Sequence, residues 1–128
     1  MFHLPVLAES LRHSERKHNR LILVLAALTL FFSASVAQTE EVRRLEKLAT
    51  SCRERNSVDS AIQLYKQLIE LPAVHDSVRL YYKYHLNLGH LYAGREEKES
   101  ALSWYYLALR NAEKLSDPLK KASALAAL

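Results

Sequence analysis

The chain of 128 residues carries 18 Lys and Arg against 14 Asp and Glu, a formal net charge of +4, with one cysteine and two glycines. The single thiol, Cys52, excludes an internal disulfide, and glycine confined to Gly89 and Gly94, with neither Asn-Gly nor Asp-Gly, leaves β-hairpins without turn chemistry. The first 37 residues hold four basic and two acidic side chains, half of the net charge, so the remaining excess of +2 gives no electrostatic footprint for nucleic acid.

The chain opens on a basic segment with Arg12, Arg16, Lys17 and Arg20 against Glu9 and Glu15. An apolar run over residues 21–32 follows, and then Ser33-Ala34-Ser35-Val36-Ala37-Gln38. A basic leader, an apolar core and a small-residue pair at Ser35 and Ala37 have the pattern of a secretory signal peptide cleaved after Ala37. The uninterrupted stretch 21–37 is shorter than the ~20 apolar residues of a spanning helix, which favours cleavage. The long leader keeps a membrane anchor formed by residues 21–37 as the alternative. The expected division is therefore a signal peptide or signal anchor over 1–37 and a helical domain over 38–128, exported to the periplasm or the exterior. No cysteine lies beside the cleavage site to be lipidated.

Helices are expected over residues 39–54, 57–71, 76–93, 96–115 and from 118 onward. The first has an apolar face of Val42, Leu45, Leu48, Ala49 and Cys52 at helical spacing. Ser57 and Asp59 form a start signal for the second, whose face is Ala61, Leu64, Tyr65, Leu68 and Ile69. Asp76-Ser77 opens the third, with Val78, Tyr81, Tyr82, His85, Leu88, Gly89 and Tyr92 aligned and Gly94 as its stop. Glu96, Glu97 and Glu99 place negative charge at the start of the fourth, which aligns Ala101, Leu102, Tyr105, Ala108, Leu109 and Ala112. Ser116-Asp117-Pro118 is the strongest start signal, a capping residue followed by proline at the first helical position. The fifth helix ends in Ala122-Ser123-Ala124-Leu125-Ala126-Ala127-Leu128, apolar and without a C-cap, which points to the front of a longer protein or to cover by another chain. Self-association through this helix is the expected consequence of leaving it bare.

The faces repeat. Leu48, Ala49, Cys52, Ala61, Tyr65 and Leu68 recur forty residues later as Leu88, Gly89, Tyr92, Ala101, Tyr105 and Ala108, and Pro72 follows the second helix. The run Leu-Gly-x-x-Tyr, then Ala-x-x-x-Tyr-x-x-Ala, resembles the tetratricopeptide (TPR) repeat, in which small residues sit where paired helices cross. The period exceeds the family's usual length of about 34 residues, which points to lengthened helices. The resemblance implies an all-α fold of about two helical hairpins plus the first helix of a third, a fragment of a right-handed α-solenoid. It also implies a protein that binds a partner.

Nothing supports catalysis. Residues 38–128 contain His75, His85 and His90, and His85 and His90 are five apart, whereas a helical metal pair needs three or four. There is no glycine-rich phosphate loop and no nucleophile elbow. Neither cofactor nor metal is expected, His85 is expected to pack as a hydrogen-bonded core histidine, and Cys52 as a small apolar residue. Tyr81, Tyr82, Tyr84, Tyr92, Trp104, Tyr105 and Tyr106 are better explained by packing than by base stacking, with Tyr84 and Trp104 off the inward stripes.

In the TPR resemblance, a partner peptide lies along the first helix of each hairpin. The positions flanking the buried stripe hold Arg43, Glu46, Lys47, Thr50 and Arg53, then Lys83, Leu86, Asn87 and His90. Arg43, Lys47, Thr50, Arg53, Lys83, Asn87 and His90 are the groove candidates, a moderately basic set that suits an extended acidic or C-terminal segment. Leu86 interrupts the lysine and asparagine pattern of the family's carboxylate-clamp members. Two functions follow as expectations: an exported scaffold or adaptor for a protein or peptide partner, or the sensory front of a larger membrane-bound sensor kinase or transcriptional regulator.

Overall fold

The computed structural model describes the backbone of residues 4–128 and the side chains of residues 6–128, so the first residues of the expected leader lie outside it. Six helices account for nearly all of it: α1 (Leu4–Glu54), α2 (Val58–Glu70), α3 (Pro72–His75), α4 (Val78–Gly94), α5 (Lys98–Lys114) and α6 (Pro118–Ala127). No strand occurs among the described residues, and the fold is all-α. The chain divides into two units, residues 1–37 and 38–128, and α1 contributes to both.

In the first unit the apolar side chains of residues 21–32 are bare, with Phe31 and Phe32 among the most exposed. No glycine or proline interrupts α1 after residue 5, and the helix is long and apolar enough to cross a membrane, a test that a signal sequence also passes. The expected start of the first helix at residue 39 is therefore replaced by continuous helix through residues 33–40.

In the second unit the ends of the helices follow local chemistry. The Ser77 hydroxyl accepts a hydrogen bond from the Leu80 N–H (3.3 Å), and the Asp117 carboxylate accepts from the N–H groups of Leu119 and Lys120 (3.1 Å each), with Pro118 at the first helical position. Ser57 precedes α2 without a side-chain cap bond. The expected stop at Gly94 is where the helix ends. The left-handed residue that turns the chain is Glu96, at φ 64°. Asn56 (φ 58°) does the same forty residues earlier, and the Ser57 and Glu97 N–H groups reach back to the Cys52 and Tyr92 carbonyls at 2.8 and 3.0 Å. The two turns thus share the same offset as the helix faces. The one-turn α3 was not expected; Pro72 starts it and fully buried Val74 anchors it.

One buried cluster joins α1, α2, α3 and α4 through Val42, Leu45, Ala49, Ala61, Ile62, Tyr65, Leu68, Val74, Tyr84, Leu88 and Leu91. A second joins α4, α5 and α6 through Tyr82, Ala108, Ala112 and Ala124. Gly89 lies where α4 meets α5, and a Cβ built there would collide with the ring of Tyr105. That contact is possible only for glycine.

Several expected core positions move. Leu48 is 46% exposed, whereas its counterpart Leu88 is fully buried, because Leu88 sits on a helix with neighbours on two sides. Leu102 is exposed, and Tyr92 and Cys52 are only partly buried. Tyr84 is the largest fully buried side chain, not an outlying ring. The cause is that α4 presents two apolar stripes: Leu80, Tyr84, Leu88 and Leu91 face the first cluster, while Tyr82 faces the second. Trp104 packs on Tyr92 (ring centroids 6.5 Å apart) and His85 (5.6 Å).

Candidate partner-binding face

The helix periodicity of α1 places Arg43, Lys47 and Thr50 at i, i+4 and i+7 on one outward stripe. Together with Glu46 and with Lys83 of α4 they line a shallow cleft of about 370 Å³. The positions expected to flank a groove therefore meet across two helices. Arg43 is paired to Glu40, whereas no ion pair forms at Lys47 among the described residues.

Glu46, a flanking position outside the set of groove candidates, lies between the two helices. It accepts hydrogen bonds from the Lys83 ammonium (2.8 Å) and the Tyr84 hydroxyl (2.6 Å). Burial acts to raise its pKa, but those two hydrogen bonds and the Lys83 charge outweigh it and hold the carboxyl below its usual value. Burial and the same carboxylate push the Tyr84 hydroxyl far up, so it stays a donor at any ordinary pH. The signal that locates Tyr84 is its spacing from Leu80, Leu88 and Leu91, a second helical stripe beside the one that carries Tyr82.

Further along, Arg53 donates to the Asn87 side-chain oxygen (3.1 Å), and the Asn87 amide donates to the Lys83 carbonyl (2.9 Å). These bonds fix the Asn87 side chain and hold the Arg53 guanidinium beside α4. His90 is hydrogen-bonded through Nδ1 to the Tyr105 hydroxyl (2.9 Å). Partial burial, and then the Arg53 charge, lower the His90 pKa, so it stands neutral near pH 7. Leu86, which occupies one flanking position, packs instead against the second cluster.

All seven groove candidates are thus on α1 or α4. Arg43, Lys47, Thr50 and Lys83 share the cleft, Arg53 and Asn87 are bonded across the helices, and His90 is drawn toward α5 by Tyr105. The face can offer several charge-assisted hydrogen bonds to a carboxylate-bearing segment, from Arg43, Lys47 and the donors left on Arg53. No family model, curated protein or solved structure matches the chain.

Proposed function

We propose that the chain is a TPR-like helical-hairpin module that binds an extended acidic segment of a protein partner along α1 and α4. It acts as an exported scaffold or adaptor and performs no chemistry of its own. The observation that carries this reading is the cleft in which Arg43, Lys47 and Thr50 of α1 meet Lys83 of α4. The forty-residue offset shared by helix faces and by the turns at Asn56 and Glu96 supports the repeat character. The leader, apolar run and small-residue pair support export.

The test uses the full chain in detergent and three fluorescent peptides: an acidic one with a free C-terminus, its amidated form, and a basic one. Anisotropy should register the acidic peptides only, with affinity falling as salt rises. Replacing exposed Arg43 and Lys47 by Glu should weaken binding by roughly tenfold, ~1.4 kcal/mol. Equal binding of the basic peptide, or an unaffected double variant, overturns the reading.

A second reading, the input region of a larger membrane-bound signalling protein, is favoured by the apolar span of α1. Coding sequence beyond residue 128 that specifies a further membrane span and an effector domain distinguishes it from an adaptor.

A further inference from the structure

We propose that His90 makes capture of the acidic partner proton-dependent: a carboxylate of the partner seats between the Arg53 guanidinium and the His90 ring, and the imidazole takes up a proton as it arrives. This regulation rests on the acidic-segment reading above and adds a sign to it. The partner is held more tightly as the surroundings acidify.

The geometry comes from three helices. Asn87 and His90 are three residues apart on α4, so they are neighbours on one face of it, with Cβ atoms roughly 5–6 Å apart. Arg53 of α1 donates to the Asn87 side-chain oxygen at 3.1 Å, which holds the guanidinium at the same place on α4. That bond leaves the other N–H donors of Arg53 to a ligand. The His90 ring is exposed, and its Nδ1 lies 2.9 Å from the Tyr105 hydroxyl of α5. A hydroxyl donates or accepts, so this contact survives when Nδ1 gains a proton. The other ring nitrogen, Nε2, forms no hydrogen bond among the described residues and carries a donor in the protonated ring.

Charge sets the direction of the coupling. From α1 the ring meets Arg53; partial burial, and then that charge, oppose its protonation. From α5 it meets the Tyr105 hydroxyl, which burial keeps protonated. On α4 itself Asn87 is uncharged, and Lys83 is paired to Glu46 of α1. Glu96 and Lys98, of opposite sign, share a groove with Tyr105. No carboxylate forms an ion pair with His90 among the described residues. A carboxylate bound against Arg53 supplies the missing anion: it offsets the guanidinium and accepts from the imidazolium by charge-assisted hydrogen bonds. Binding therefore favours the proton, and by reciprocity the proton favours binding. On an exported face the proton activity sensed is that of the medium.

The test uses the full chain in detergent and the acidic fluorescent peptide. Anisotropy at about pH 7.5 and about pH 5.5 should show binding tighter at the lower pH by roughly fivefold. Carboxylates of the peptide, which protonate near about pH 4, act in the opposite direction and cannot produce this rise. In His90→Gln the ratio of the two affinities should fall to one or below, whatever its absolute affinity. His75→Gln, on exposed α3, should keep the parent's ratio. Calorimetry of the unaltered chain at about pH 6.5, in buffers of different ionisation enthalpy, should register net proton uptake on binding. An affinity that does not rise toward pH 5.5, a rise that persists in His90→Gln, or binding without proton uptake overturns the inference and leaves the acidic-segment reading standing. Absence of peptide binding at both pH values overturns both.

Discussion

His85 is the residue whose surroundings say most about how it is held. The Asn111 side-chain nitrogen can only donate, and it lies 2.9 Å from His85 Nδ1, so that ring nitrogen is an acceptor and the imidazole is neutral. Burial pushes its pKa down to about 4. The unfolded chain protonates the same group near the ordinary value of about 6.5. Between these two values the unfolded state binds more protons, so stability is retained above pH 6.5 and lost as pH falls toward 4. His90, also lowered, acts in the same direction, as does the carboxyl of Glu46 in the acid range. We expect His85→Gln to flatten the stability profile over pH 6.5 to 4 relative to the parent, measured by urea unfolding. An unchanged slope would show that protonation of His85 is not opposed by the fold.

At the scale of the helix, the α4/α5 hairpin depends on one missing side chain. Gly89 costs helix propensity of roughly 0.8–1 kcal/mol relative to alanine, yet the Tyr105 ring occupies the space where a Cβ would stand. Its counterpart Ala49 is fully buried and tolerates a methyl, so the second hairpin is the tighter of the two. Gly89→Leu should force α4 from α5 and destabilise the unit by about 1–3 kcal/mol, while Leu48→Ala on the exposed side of α1 should stay within ~0.5 kcal/mol. Denaturant midpoints of the two variants decide this, and a Gly89→Leu chain as stable as the parent would refute the close crossing. The turns follow the same local logic with a residue that the glycine pattern did not reveal: Glu96, not Gly94, adopts the left-handed conformation. Left-handed backbone in a non-glycine residue costs roughly 1–2 kcal/mol, supplied here by the capping hydrogen bonds around it.

For the whole molecule, the division at residues 37 and 38 coincides with a change from bare apolar helix to packed hairpins. Export with cleavage predicts an exported product that begins at Gln38, lighter than the full chain by residues 1–37, by intact mass. A full-length product that resists alkaline extraction from membranes would instead establish residues 21–37 as an anchor. The positions of α2, α4, α5 and α6, the starts at Ser77 and Asp117, the offset of forty and the small residue at Gly89 were legible in the sequence, because each depends on neighbours within a turn or on a periodicity of 3.6, whereas the start of α1 and the one-turn α3 were not. The basic stripe Arg43, Lys47 and Thr50 was legible for the same reason. Only the tertiary structure decided that α4 buries two stripes, since a helix packed between neighbours has no single inward face and a periodicity aligned to one of them leaves Tyr84 outside. It alone decided that Glu46 joins Lys83 and Tyr84 across two helices, for contacts between residues almost forty apart are set by how helices dock. It likewise separated Leu48 from Leu88: the two share a place in the repeat, and burial depends on which helices stand beside them.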